Sequence, residues 1–174
     1  MNEYDLGIIG CSKTIFSVNE FRNNVNEFAQ HHGILIQLMD AEQIIGKKHL
    51  IIAFEHAERS FQRNEAATRS LEMELLLYAA GERQIKRAIK KMGIKQGKSD
   101  FAAIFMFNKD IDKESVISSF LTSFDIKRDD SILVPTKLKL RNFGISKEAI
   151  ESVKKDKMFH LVFERIALVD IIKK

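Results

Sequence analysis

Seven consecutive apolar residues, FAAIFMF at 101–107, lie between Asp100 and Asn108. A run that short reads as a strand rather than a helix, and a strand with no polar side to its pleat has to be covered on both faces. The chain that carries it needs a layered fold with this strand at the centre. LGIIGC at 6–11 is a second short apolar run. After it, Ser17 and Glu20 stand in capping-box spacing, and Phe21, Val25 and Phe28 recur at helical intervals until Gly33, which predicts a helix over about 18–32. ILIQLM at 34–39 is a further strand candidate. The order strand, helix, strand points to an α/β layer.

The middle of the chain reads as helices. Over 47–64, Leu50, Phe54, Ala57 and Phe61 share one face, with His49, His56, Arg59 and Arg63 off it. After a polar break at 64–70, Leu71, Leu75 and Tyr78 continue the pattern to Gly81. Ile85, Ala88, Ile89 and Met92 form a third stripe, with Arg83, Lys86, Arg87 and Lys90 outside it and Gly93 placed as a C′ residue. Asp112 can cap a helix that buries Val116, Phe120 and Phe124, and Pro135 limits any strand near 131–134 to an edge. Ser146, Ala149 and Ile150 open a final helical region. It carries two apolar stripes, Phe159, Val162, Phe163, Ile166 and Val169 beside Met158, Leu161, Leu168 and Ile172. So wide an arc is either sandwiched in the core or partly covered by a partner. With no linker, repeat or low-complexity tract, residues 1–174 read as a single α/β domain. Its expected architecture is a small mixed sheet of three or four strands and a predominantly helical other half.

Several function classes drop out. No apolar run approaches the ~20 residues of a membrane span. MNEYDLGIIG carries acids where a signal peptide carries positive charge, so a cytoplasmic address is expected. The lone cysteine, Cys11, reads as a small buried hydrophobe. Neither GxGxxG nor GxxxxGK[ST] occurs, and His31, His32, His49, His56 and His160 have no zinc-ligand spacing. HAER at 56–59 could supply a general base, but no nucleophile or oxyanion feature stands beside it, and it reads as a solvated helix face. No cofactor and no metal are expected, and the chain is not expected to be an enzyme.

What remains is charge. The formal net charge is only +4, yet Arg59, Arg63, Arg69, Arg83, Lys86, Arg87, Lys90, Lys91, Lys95 and Lys98 fall close together. If the 47–64 and 83–92 helices pack side by side, their basic residues form one surface that attracts phosphates. Phe61, Tyr78 or His56 at its border could stack an unpaired base.

The stretch HAERSFQRNEAATRSLEMELLLYAAGERQIKRAIKKMGI, 56–94, resembles a known family. It is similar to the accessory subunit of KEOPS, the complex that makes threonylcarbamoyladenosine in tRNA, and looks like an archaeal-type relative of TPRKB, the protein that binds the kinase-like PRPK. Thr68, Arg69, Ser70, Leu71, Glu74, Leu76, Leu77, Tyr78, Gly81, Arg83, Gln84, Ile85, Ala88, Gly93 and Ile94 carry the resemblance, and ERIALVDI at 164–171 fits the family's final helix. Glu72 departs from it where relatives often have glycine, serine or histidine. The resemblance implies a non-catalytic subunit that binds a PRPK-like ATPase subunit and recruits tRNA by its 3′ CCA tail. The candidate RNA contacts are His56, Arg59, Arg63, Arg69, Arg83, Gln84, Lys86, Arg87 and Lys90. The candidate partner contacts are Leu77, Leu168 and Ile172. A purely protein-binding regulatory scaffold, or a small enzyme with a site assembled from distant residues, stay open as alternatives.

Overall fold

The structure, a computed structural model, describes residues 3–172. In chain order its first elements are β1 (Asp5–Ile15), α1 (Val18–His32), β2 (Leu35–Asp40), α2 (Lys47–Gln62), α3 (Leu71–Ala80) and α4 (Ile85–Met92). Then come β3 (Gly97–Phe107), α5 (Lys113–Ser123), β4 (Lys127–Arg128), α6 (Lys137–Phe143), α7 (Lys147–Glu151) and α8 (His160–Ile172). Two compact units result. One joins the residues up to Ala41 with Ile94–Ile132, and the other joins Glu42–Gly93 with the residues from Leu133 onward.

The first unit holds a four-stranded sheet in the order β2-β3-β1-β4. The α/β class and the strand number agree with the sequence. The sheet is not mixed, however: every adjacent pair is antiparallel. The reason is that β1, α1 and β2 form a parallel crossover unit whose two strands do not touch. β3 inserts between them, Asp5 facing Phe107 on one side and Leu35 facing Met106 on the other. The run FAAIFMF is thereby central and fully buried on both faces, as its composition requires.

Phe101, Ala103, Phe105 and Phe107 point with Ile9, Cys11 and Ile15 into a core shared with Phe21 and Val25 of α1 and Val116, Ile117 and Phe120 of α5. Phe105 and Phe120 meet edge-on, ring centroids 5.1 Å apart. Burial of each such side chain contributes about 1.5–3 kcal/mol relative to exposure. Burial also pushes the Cys11 thiol up to about 12, with nearby Asp130 acting in the same direction. α1 starts as expected, the Ser17 hydroxyl accepting from the Glu20 N–H.

The edge strand expected at 131–134 lies instead at 127–128, and Asp130–Leu133 is a 3-10 turn. Side chains compete for the backbone here. The Gly10 N–H donates to Asp130 Oδ1 at 3.0 Å, and Asp129 accepts from the Ser131 N–H and hydroxyl. Gly10 permits this approach, because a Cβ there would lie 2.1 Å from the Asp129 carbonyl oxygen.

The second unit is helical and is organised around α3. From Glu74 to Ala80 that helix is buried throughout, and α2, α4 and α8 pack on it. The Ser70 hydroxyl caps its start, and Gly81 ends it in the left-handed region at φ 63°. Gly93, expected to end α4 the same way, is extended at φ −65°, although its N–H still reaches the Ile89 carbonyl. α6 was not anticipated; Thr136 caps it and Gly144 ends it.

His49, read as lying off the apolar face of α2, is fully buried. Its Nδ1 accepts from the Ile45 N–H at 3.1 Å and its Nε2 donates to the Ala79 carbonyl at 2.8 Å, which fixes a neutral tautomer. Burial lowers its pKa to about 4. Among the described residues no helix is long and apolar enough to cross a membrane.

Candidate functional site

The loop between α2 and α3 displays two of the expected basic residues, Arg63 and Arg69, both exposed. It is tied down by a buried carboxyl group. Glu74, in the first turn of α3, is inaccessible to solvent. Its Oε2 accepts from the Ala67 N–H at 3.1 Å and the Thr68 N–H at 3.0 Å, and its Oε1 from the Ser60 hydroxyl at 3.2 Å. The Thr68 hydroxyl lies 2.9 Å from both Glu74 Oε2 and the Ser70 carbonyl, with one proton to share between them. Asn64 turns the chain out of α2 with a positive φ of 57°. Thr68, Ser70 and Glu74, which stand together in the sequence, are thus one structural device.

Beside this loop His56, Arg59, Ser60, Arg63, Glu65 and Asp170 line a cleft of about 100 Å³. His56 Nδ1 donates to Asp170 Oδ2 at 2.8 Å, which leaves Nε2 as its second polar atom. Tyr78 donates its hydroxyl to the other oxygen of Asp170. Burial, followed by that hydrogen bond, raises the Tyr78 phenol above its ordinary range and keeps it a donor. Asp170, in the last turn of α8, thus joins α8 to α2 and α3. Two residues on, the Ile172 carbonyl accepts from Arg83 Nη1 at 3.2 Å, a cation placed at a helix C-terminus.

The basic residues do not form the simple two-helix surface that side-by-side packing would give. α2 and α4 each pack on α3. His56 and Arg83 are connected through the last turn of α8, with Asp170 and Ile172 between them. Arg59, Arg63, Arg69, Gln84, Lys86, Arg87 and Lys90 are exposed and His56 is half-buried. Lys91 turns inward: its Nζ donates to the Ala80 carbonyl at 2.9 Å and sits 3.7 Å from the centroid of the Phe143 ring. Burial lowers its pKa to about 8.

Tyr78 is fully buried and cannot stack a base, so His56 and the half-exposed Phe61 are the rings left at this border. The acids of the cleft, Glu65 and Asp170, were not singled out in the sequence. The signal for Asp170 is the spacing of one acid among the apolar residues ending α8, which identifies a polar position but not its partners.

Of the apolar candidates, Leu77 is fully buried and belongs to the core, because its helix is enclosed by three others. Leu168 and Ile172 are surface residues, the former 47% exposed. Ile171 on α8 and Ile85 and Ile89 on α4 are exposed as well. The Arg83 to Ile172 bond brings the start of α4 to the end of α8. Among the described residues no group of His, Cys, Asp and Glu is placed to hold a metal ion.

The family described as kinase binding protein CGI-121 matches residues 17–170. The chain is also similar to a protein named regulatory protein Cgi121 from Methanocaldococcus jannaschii. The two are 28% identical over 150 residues, which cover 81% of this chain and 87% of that protein.

Proposed function

As the chain belongs to the CGI-121 family of kinase-binding proteins, we propose that it is the non-catalytic regulatory subunit of a KEOPS complex, binding the kinase-like ATPase subunit and recruiting tRNA by its 3′ CCA tail. The observation that carries the RNA half is the placement of Arg59, at the end of α2, and Arg63, on the loop anchored by Glu74, in the lining of the cleft at His56, with Arg69 exposed farther along the same loop. Fixed cations beside a half-exposed ring suit an unpaired tail, which offers both phosphates and base faces, whereas a duplex hides the latter. Arg83, Gln84, Lys86, Arg87 and Lys90 extend the same field along α4. The apolar end formed by Leu168, Ile171 and Ile172 supports the protein-binding half, since exposed aliphatic side chains in a cluster are the usual core of a partner surface. The whole chain works as one cytoplasmic module in this reading, and the catalytic chemistry belongs to other subunits.

Fluorescence anisotropy with intact tRNA and with tRNA lacking CCA tests the RNA half. The intact species binds more tightly, with a steep log-log salt dependence, and Arg59→Glu and Arg83→Glu each weaken binding at low salt. Equal affinity for both tRNAs would remove tail recognition from the reading. Absence of salt-dependent binding would leave a purely protein-binding scaffold.

A further inference from the structure

Phe16 is 85% exposed, the largest solvent exposure among the large apolar side chains of the described residues. Its position makes that unusual. It immediately precedes Ser17, the N-cap of α1, and a hydrophobic residue there ordinarily packs on the residue in the second turn, here Phe21. Phe21 is instead buried in the core, edge-on to Phe101 and Phe124, and Phe16 stays in solvent.

Phe16 itself stands on the wall of a cleft of about 340 Å³, lined also by Lys13, Glu20, Phe21, Phe124 and Asp125. One wall is the end of β1. β4 pairs only with Cys11 and Ser12, so no described strand lies beside the outer edge of Lys13–Ile15. A bare strand edge is a template for another strand. One small patch therefore carries an aromatic knob, an aromatic-floored recess large enough for a ring, an open strand edge, one cation and two anions.

The geometry points to a second copy of this chain as the occupant. A patch holding both a knob and a matching hole is self-complementary under a two-fold axis, in which residue i meets j and j meets i. Each Phe16 enters the other copy's recess against Phe21 and Phe124, and each Lys13 faces the other copy's Glu20 and Asp125. Two exchanged rings and a short strand edge place the interface in the small size class, below about 1,200 Å². The dimer is accordingly reversible and concentration-dependent. The residues of this patch all belong to the first unit.

Sedimentation velocity of the full chain, from low micromolar to millimolar, is the test. The parent passes from monomer to dimer and no further. Phe16→Ala, which touches an exposed side chain and leaves the melting temperature unchanged, raises the dissociation constant by about 30-fold, the scale of an interfacial aromatic anchor. Lys13→Glu alone and Glu20→Lys with Asp125→Lys alone each weaken self-association, and an equimolar mixture of the two variants restores it as a heterodimer. A parent that stays monomeric throughout, assembly that continues beyond two copies, or a Phe16→Ala variant with the parent's dissociation constant overturns the proposal.

Discussion

Replacing Glu74 by alanine removes one side chain from the core and takes an acceptor from four donor groups on three residues. The Ala67 and Thr68 N–H groups and the Ser60 and Thr68 hydroxyls all lose their acceptor. The hydroxyls can rotate toward other acceptors, and Thr68 already has the Ser70 carbonyl at 2.9 Å. The two backbone donors have no such freedom. An unsatisfied buried donor costs about 1–3 kcal/mol, and the half-exposed setting of this loop places each near the lower end. With the cavity left by the side chain, the loss comes to about 3 kcal/mol. At about 2–4 °C per kcal/mol for a chain of this size, the melting temperature falls by roughly 6–12 °C. Urea denaturation measures the first quantity and calorimetry the second. Amide hydrogen exchange localises it, with the Ala67 and Thr68 amides losing protection while those of β3 keep theirs. A loss below about 0.5 kcal/mol, the level of an ordinary surface change, or unchanged protection at Ala67 and Thr68 would refute the assignment of Glu74 as the anchor of the loop.

Leu168→Glu and Ile172→Glu keep the fold and abolish pull-down of the kinase-like ATPase, whereas Leu77→Glu desolvates a charge in the core and unfolds the chain; melting curves beside the pull-downs separate the two outcomes. Because burial holds His49 neutral with a pKa of about 4 while the unfolded chain titrates near 6.5, the unfolded state binds more protons between these values. Stability is therefore full above about pH 6.5 and falls as pH drops toward 4, by about 2 kcal/mol between pH 7 and pH 5. Urea titrations at the two pH values measure this loss, and His49→Gln flattens that part of the profile. Asp170→Asn leaves RNA affinity less dependent on His56, so that His56→Ala has a smaller effect in that background than in the parent, as a double-mutant cycle by anisotropy would report.

Legibility from the sequence followed the range of the interaction. The caps at Ser17 and Asp112, the helix start at Ser146 and the end at Gly81 rest on bonds spanning three or four residues, and each stands where its spacing placed it. The central strand was legible because seven apolar residues in a row admit few other roles. His49 and Leu77 were misplaced because both depend on distant helices, the first on the Ala79 carbonyl and the second on the enclosure of α3. Asp170 was missed for the same reason. Its partners His56 and Tyr78 lie 114 and 92 residues away along the chain, and no local pattern encodes them. The exposed arginines were legible as a cluster, but the meeting of Arg59 and Arg63 at one cleft was not.

The insertion of β3 between β1 and β2 also bears on synthesis. When residues up to Asp40 have left the ribosome, β1 and β2 exist as sequences with no strand to pair with, since neither is the other's neighbour in the sheet. Asp5 finds its partner only when Phe107 appears, and Leu35 only with Met106. Meanwhile α2, α3 and α4, which lie between β2 and β3 in the chain, need no strand for their own hydrogen bonds and can form first. The sheet therefore closes late, over long chain separations that slow folding. Until then two apolar strands wait unpaired, the period in which a nascent chain of this topology most needs protection from its neighbours.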